Sequence, residues 1–117
     1  MFWRRSETPT GGTPAALPVE ITAAELHIRL QAEEPPFLLD VRSHGEFAGG
    51  HIPGSVLIPL PELLHRASEI PAGRHVICVC RSGHRSGIAA HQLRARGYSV
   101  QSLAEGMLGW RGAVRRL

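Results

Sequence analysis

Lysine is absent from this sequence; all thirteen basic side chains are arginines, and aspartate occurs once, at Asp40. Aromatic residues make up only 5% of the chain. The arginines are scattered apart from Arg4-Arg5 and Arg115-Arg116, and the formal net charge is +3. Nucleic-acid binding calls for a basic stripe interleaved with aromatic platforms. Its absence argues against that class, while a small anion needs only a few well-placed positive groups. Cysteine is also scarce. Cys78 and Cys80 cannot make a disulfide scaffold. A bond between them would be strained, since both side chains leave an extended strand on one face. No second ligand pair accompanies them at zinc spacing, so no metal is expected. Free thiols fit a reducing compartment. No run approaches the roughly 20 apolar residues that span a bilayer. The opening Met1-Phe-Trp-Arg-Arg lacks the apolar stretch of a signal peptide. The expectation is a soluble, cytoplasmic protein with no membrane contact.

What is present fits one domain. A chain of 117 residues, 43% hydrophobic and 20% charged, can bury a core without covalent support. Residues 1–17 are rich in Ser, Thr, Gly and Pro without hydrophobic period, and read as a flexible arm. The domain is placed over residues 18–112, with a tail at 113–117. Thr22-Ala-Ala-Glu25 forms a capping box, and Ala23, Leu26 and Leu30 follow at helical spacing before Pro35-Pro36 ends the helix. Apolar runs at 37–41, 55–58 and 75–79 read as buried strands, and Tyr98 to Val100 as another. Between them, Ser43 to Phe47 reads as a short helix. Pro61 opens a further helix with Leu64, Ala67 and Ile70 inward. Ser86 to Arg96 is a helix that turns Ala89, Ala90 and Leu93 inward and stops at Gly97. Glu105 to Trp110 closes the domain as a short helix or turn. Alternating strands and helices, with continuous apolar runs, predict an α/β fold: a parallel sheet covered on both faces. Ligands of such folds bind at the carboxyl ends of strands.

One strand-to-helix junction carries Cys80-Arg-Ser-Gly-His-Arg85-Ser86. A thiolate, not a thiol, is the nucleophile, and nearby positive charge and a helix N-terminus favour it. Arg81, Arg85 and His84 if protonated supply charge. Gly83 lets the backbone curl so that several N–H groups converge where the sulfur or a bound anion would sit. Such a cradle suits attack on a sulfane sulfur or on an oxyanion of phosphorus or arsenic.

The loop resembles the active-site loop of the rhodanese family. Two more stretches resemble the family in its order: Leu39-Asp-Val-Arg-Ser-His-Gly-Glu46-Phe with Gly50-His-Ile-Pro-Gly-Ser55, and Leu103-Ala-Glu-Gly106-Met-Leu-Gly-Trp110. The family usually has Gly-Gly where this chain has Glu105-Gly106. The resemblance covers about residues 17 to 112 and implies a five-stranded parallel sheet. It also implies sulfur transfer from thiosulfate or another sulfane donor, a small anion, to cyanide or a thiol; no cofactor is expected, and the small domain, with few elements to enclose a large substrate, suits a protein or a common thiol as acceptor. By this match Cys80 forms the persulfide. Arg81, Ser82, Gly83, His84 and Arg85 bind the sulfur and the donor's anionic end. The resemblance ties six-residue loops to sulfurtransferases, and a seventh residue to the related phosphatases and arsenate reductases; Cys80 to Arg85 counts six. The rival readings are such an oxyanion enzyme, or a non-catalytic binding or sulfur-relay module.

Supporting roles fall to Asp40, Arg42 and Ser86. Arg42 and Glu46, four apart, are expected to pair; Asp40 helps position the loop; Ser86 caps the helix or donates to the sulfur. Cys78, inside an apolar run, reads as a core thiol. His51 orders its Ile-Pro-Gly turn, and Met107 and Trp110 belong to the core.

Overall fold

The computed structural model describes residues 19–117, so the arm expected over 1–17 lies outside the described residues. The strands are β1 (Glu20–Ile21), β2 (Phe37–Asp40), β3 (Val56–Leu57), β4 (Val76–Val79) and β5 (Val100–Leu103). The helices are α1 (Ala23–Arg29), α2 (His44–Ala48), α3 (Leu63–Arg66) and α4 (His84–Ala95). All strand pairs are parallel, in the order β1-β5-β4-β2-β3. The α/β class with a five-stranded parallel sheet is therefore observed.

The period of two along β4 builds the core. Val76, Cys78 and Cys80 turn to one face, with Ala89, Ala90 and Leu93 of α4 and Leu63 of α3. Ile77 and Val79 turn to the other, with Leu26 of α1 and half-buried Met107 and Trp110. A strand buried on both sides must be apolar at every position, and all four residues of β4 are buried. Asp40 pairs in register with Val79. The carboxyl ends of β2 and β4 thus lie side by side, which sets Arg42 and the loop after Cys80 at one edge of the sheet.

Several boundaries differ from those read in the sequence. The fifth strand is β1, too short to register as an apolar run. The strand expected at 98–100 lies at Val100–Leu103 instead. Around α3 the chain winds as 3-10 helix at Leu60–Glu62 and Ala67–Glu69. That change of winding brings Leu63 inward and leaves Leu64 44% exposed, so Leu64 is not part of the inner face. The tail at 113–117 is tied down: His51 and Arg115 exchange backbone bonds of 2.9 and 2.8 Å, and Leu117 donates to Ala48 at 3.0 Å.

Leu63→Ala empties a fully buried site and is expected to lose about 3 kcal/mol of stability. Leu64→Ala should lose less than about 1 kcal/mol. Denaturant unfolding of the two variants checks this, and equal losses would contradict the placement of α3.

Candidate active site

β4 ends at Val79, and Cys80 follows at 1% exposure. The chain then curls over residues 81–83 into α4. Gly83 makes the curl with φ of 104°, and a Cβ there would run into the Ala104 carbonyl oxygen. The Gly83 N–H donates to the Cys80 sulfur at 3.1 Å. The Ser86 hydroxyl lies 3.4 Å from the sulfur, 2.7 Å from the Ser102 hydroxyl and 3.2 Å from the Gly83 carbonyl oxygen. Burial pushes the Cys80 thiol up; the Ser86 hydroxyl and the N–H groups of Ser86, Gly83 and Ser82 outweigh it, and the net shift is downward. Cys78, two residues back in the core, has no such donors. Burial first, and then the charge of Cys80, push its thiol up to about 12.

The loop keeps its N–H groups pointing inward because its carbonyls are engaged elsewhere. The Cys80 carbonyl accepts from the Met107 N–H at 2.8 Å and the Arg81 carbonyl from Leu108 at 3.0 Å. Both donors sit on the 3-10 turn Gly106–Gly109. Gly106 starts it at φ of 58°, and a Cβ there would strike the backbone of Cys80 and Arg81. The turn thus holds the loop from outside despite the Glu105 that replaces the usual first glycine.

The charged residues pair differently from the sequence reading. Arg42 does not pair with Glu46. Its guanidinium grips Asp40, with Nη2 to Oδ2 at 2.7 Å and Nε to Oδ1 at 2.9 Å, and also donates to the Gly50 carbonyl at 2.8 Å. This pair is buried and braces the segment after β2. Glu46 instead takes a two-pronged grip from Arg85, both bonds 2.8 Å, 39 residues away in sequence. Glu46 also completes the cap of α2 by accepting from the Ser43 N–H and hydroxyl at 3.1 Å. The Arg85 bonds do most to pull the Glu46 carboxyl down to about 2, against partial burial, and Ser43 adds to them. Arg85 is raised in turn, first by its bonds to Glu46 and further by the charges of Cys80 and Asp40.

Of the remaining loop residues, Arg81, Ser82 and His84 are exposed on the rim. Ser86 does not cap α4, which starts two residues earlier at His84; it is a fully buried residue of the first turn that faces the sulfur. His51 is buried, stacks on Phe47 at 3.7 Å and hydrogen-bonds the Phe47 carbonyl at 2.7 Å, so it secures its turn. The sequence reading passed over Ser102 and the Glu46–Arg85 contact. Among the described residues no group of three or more His, Cys, Asp or Glu could hold a metal ion, and no helix is long and apolar enough to cross a membrane.

The site is thus a buried sulfur, lowered in pKa by converging N–H groups, at the carboxyl edge of a five-stranded parallel sheet. The profile of the Rhodanese-like domain family aligns with residues 22–113. The chain belongs to the rhodanese family. It is 39% identical over 92 residues to a sulfurtransferase of Allochromatium vinosum, covering 78% of this chain and 86% of that protein. It is 32% identical over 112 residues to the putative sulfur carrier protein YrkF of Bacillus subtilis, covering 95% of this chain. The crystal structure of a rhodanese-like domain protein from Staphylococcus aureus superposes with a TM-score of 0.79 at 28% identity, covering 84% of this rhodanese chain and 97% of that one. The chain spans about half the length of two of the curated relatives it matches, 41% of one and 60% of the other.

The Ser86 hydroxyl is expected to matter to the charge state of Cys80. Alkylation by iodoacetamide follows the thiolate fraction, so it is slow below the thiol's pKa and reaches a plateau above it. Ser86→Ala removes a donor to the thiolate and moves that midpoint upward. The alkylation rate at pH 7 should fall about tenfold, as for loss of one hydrogen bond to a charged group. In the folded wild type Cys78 should stay unlabelled. Peptide mapping of pH-jump alkylation reads both, and an unmoved midpoint would deny Ser86 the role.

Proposed function

We propose that this rhodanese domain is a sulfurtransferase that moves a sulfane sulfur from thiosulfate or a similar donor to a thiophilic acceptor through a persulfide on Cys80. The observation that carries the reading is the set of polar groups gathered on one sulfur: the Gly83 N–H donates at 3.1 Å, the Ser86 hydroxyl lies at 3.4 Å, and together with the Ser82 and Ser86 amides they lower the thiol. The Cys80 thiolate attacks the outer sulfur of the donor. A new S–S bond forms, the donor's own bond to that sulfur breaks, and the remainder leaves with the electron pair, as sulfite when the donor is thiosulfate. The charge then lies on the terminal sulfur. The loop amides, already oriented, hold it without reorganising, which is the condition for strong electrostatic stabilisation. Cyanide, a small thiol or a protein thiol attacks the terminal sulfur next and returns Cys80 as thiolate.

Arg81, Ser82 and His84 form the exposed rim that meets the donor and acceptor; Gly83 and Arg85 fix the loop's shape; Asp40, Arg42 and Ser86 support it. The six-residue span from Cys80 to Arg85 favours sulfur over phosphorus or arsenic. A sulfur-relay role uses the same persulfide, and the presence of a named sulfur carrier among the relatives keeps it as the second reading.

Intact mass after incubation with thiosulfate tests the proposal. Wild type should gain one sulfur atom that cyanide removes, and Cys80→Ser should gain none. A reduced, folded wild type that gains nothing would overturn the thiosulfate reading. Loading of sulfur that only a protein thiol can remove would favour the relay.

A further inference from the structure

The guanidinium at the far end of the nucleophile loop, that of Arg85, is already neutralised. Arg85 is bound through both Nη1 and Nη2 to the two oxygens of Glu46, and each side chain of the pair is about one-third exposed, at 35% and 31%. Glu46 is held in place independently by the Ser43 N–H and hydroxyl at the start of α2. Its place at the start of α2 therefore has a support besides Arg85. Asp40 is likewise cancelled by Arg42 at 2.7 Å. The other cations of the loop, Arg81 and His84, stand exposed in water, where salt screens them. What the site offers an incoming donor is amide dipoles, and near them a guanidinium, Arg85, whose charge Glu46 offsets.

We propose that Glu46 is a specificity-determining residue: it sets the site to prefer sulfane donors that carry one negative charge, such as thiosulfonates and persulfides, over the thiosulfate dianion. The inference rests on the sulfur-transfer reading and deepens it. Both kinds of donor undergo the same step. The thiolate takes the outer sulfur, the bond between the two donor sulfurs breaks, and the remainder leaves with the electron pair: sulfite from thiosulfate, a sulfinate from a thiosulfonate, a thiolate from a persulfide. Only the charge brought in differs. With the Arg85 charge offset by Glu46, a thiolate and a dianion bring together three negative charges that this guanidinium does not balance, whereas a monoanion brings one fewer. Glu46 stays charged throughout, since Arg85 and Ser43 hold its carboxyl at about 2.

The probes are thiosulfate and methanethiosulfonate, close in shape and one charge apart. The readout is the ratio of their second-order rates of sulfur loading on Cys80, followed by mass. Glu46→Gln keeps a capping side chain for α2 and removes the charge; the ratio should shift toward thiosulfate by about fivefold or more at low salt, the size expected for one unit charge at several ångströms near a surface. Glu46→Asp keeps the charge and shortens the arm, and should leave the ratio near that of wild type. An unmoved ratio in a folded Glu46→Gln variant overturns the inference. So does an equal shift in Glu46→Asp, because loop geometry rather than charge would then be responsible. Failure of both donors to load wild type would instead overturn the sulfur-transfer reading itself.

Discussion

A sulfur atom that water scarcely reaches must be allowed to carry a charge, and the rest of this structure follows from that requirement. A thiol at 1% exposure would ordinarily be held neutral, because taking charge out of water is unfavourable. Here backbone N–H groups and one hydroxyl replace the water. For amides to face inward, the carbonyls of the same peptides have to face outward and find partners there. Met107 and Leu108 supply those partners from the turn after β5. Hence the glycines: residue 83 turns back into α4 at positive φ, and residue 106 lets the turn press against the loop backbone. The cradle is a two-sided construction, with nucleophile loop and stitching turn on neighbouring strands β4 and β5.

Two ion pairs extend that construction toward the third strand. Asp40 and Arg42 lock the end of β2, and Arg42 reaches on to the Gly50 carbonyl. Glu46 and Arg85 then tie α2 to α4. A pair so exposed contributes little stability of its own. Its importance lies in position: it fixes the side chain of a loop residue and sets the charge that an approaching anion meets.

Much of the fold could be read from local rules, and the failures share a physical cause. The capping box at Thr22 and Glu25, the inward face of Ala89, Ala90 and Leu93 and the stop at Gly97 are near-neighbour effects, and they stand as read. The partner of Glu46 was misread because helical spacing favoured Arg42. Yet Arg42 stands two residues beyond Asp40 at a strand end, where the period of two puts both side chains on one face; that spacing was the available signal. Nothing local could point to Arg85, since the contact exists only once α2 and α4 are brought together. β5 was placed too early because Gln101 and Ser102 interrupt its apolar run. Both are buried, Gln101 against His75 and Ser102 against Ser86, so cross-strand partners, invisible in one dimension, make polar residues acceptable inside. The start of α4 was placed two residues late for a related reason. Its N-cap is Gly83, which has no capping side chain, and the serine that looks like a cap serves the sulfur.

The two cysteines show how narrowly the chemistry is confined. They lie two residues apart, on one face of one strand path, and both are buried. Burial acts on each in the same direction. Cys78 is paired in register with Ser102 within the sheet, where backbone N–H groups are consumed by the ladder and none is left for a side chain. Its thiol is pushed up to about 12. Cys80 sits one residue past the end of β4, where the ladder has stopped and the helix has not begun. The N–H groups of residues 82, 83 and 86 have no backbone duty that turns them away, and the sulfur collects them. Reactivity therefore arises from the break between two regular structures, and moving the same thiol back by two residues would make it part of the core.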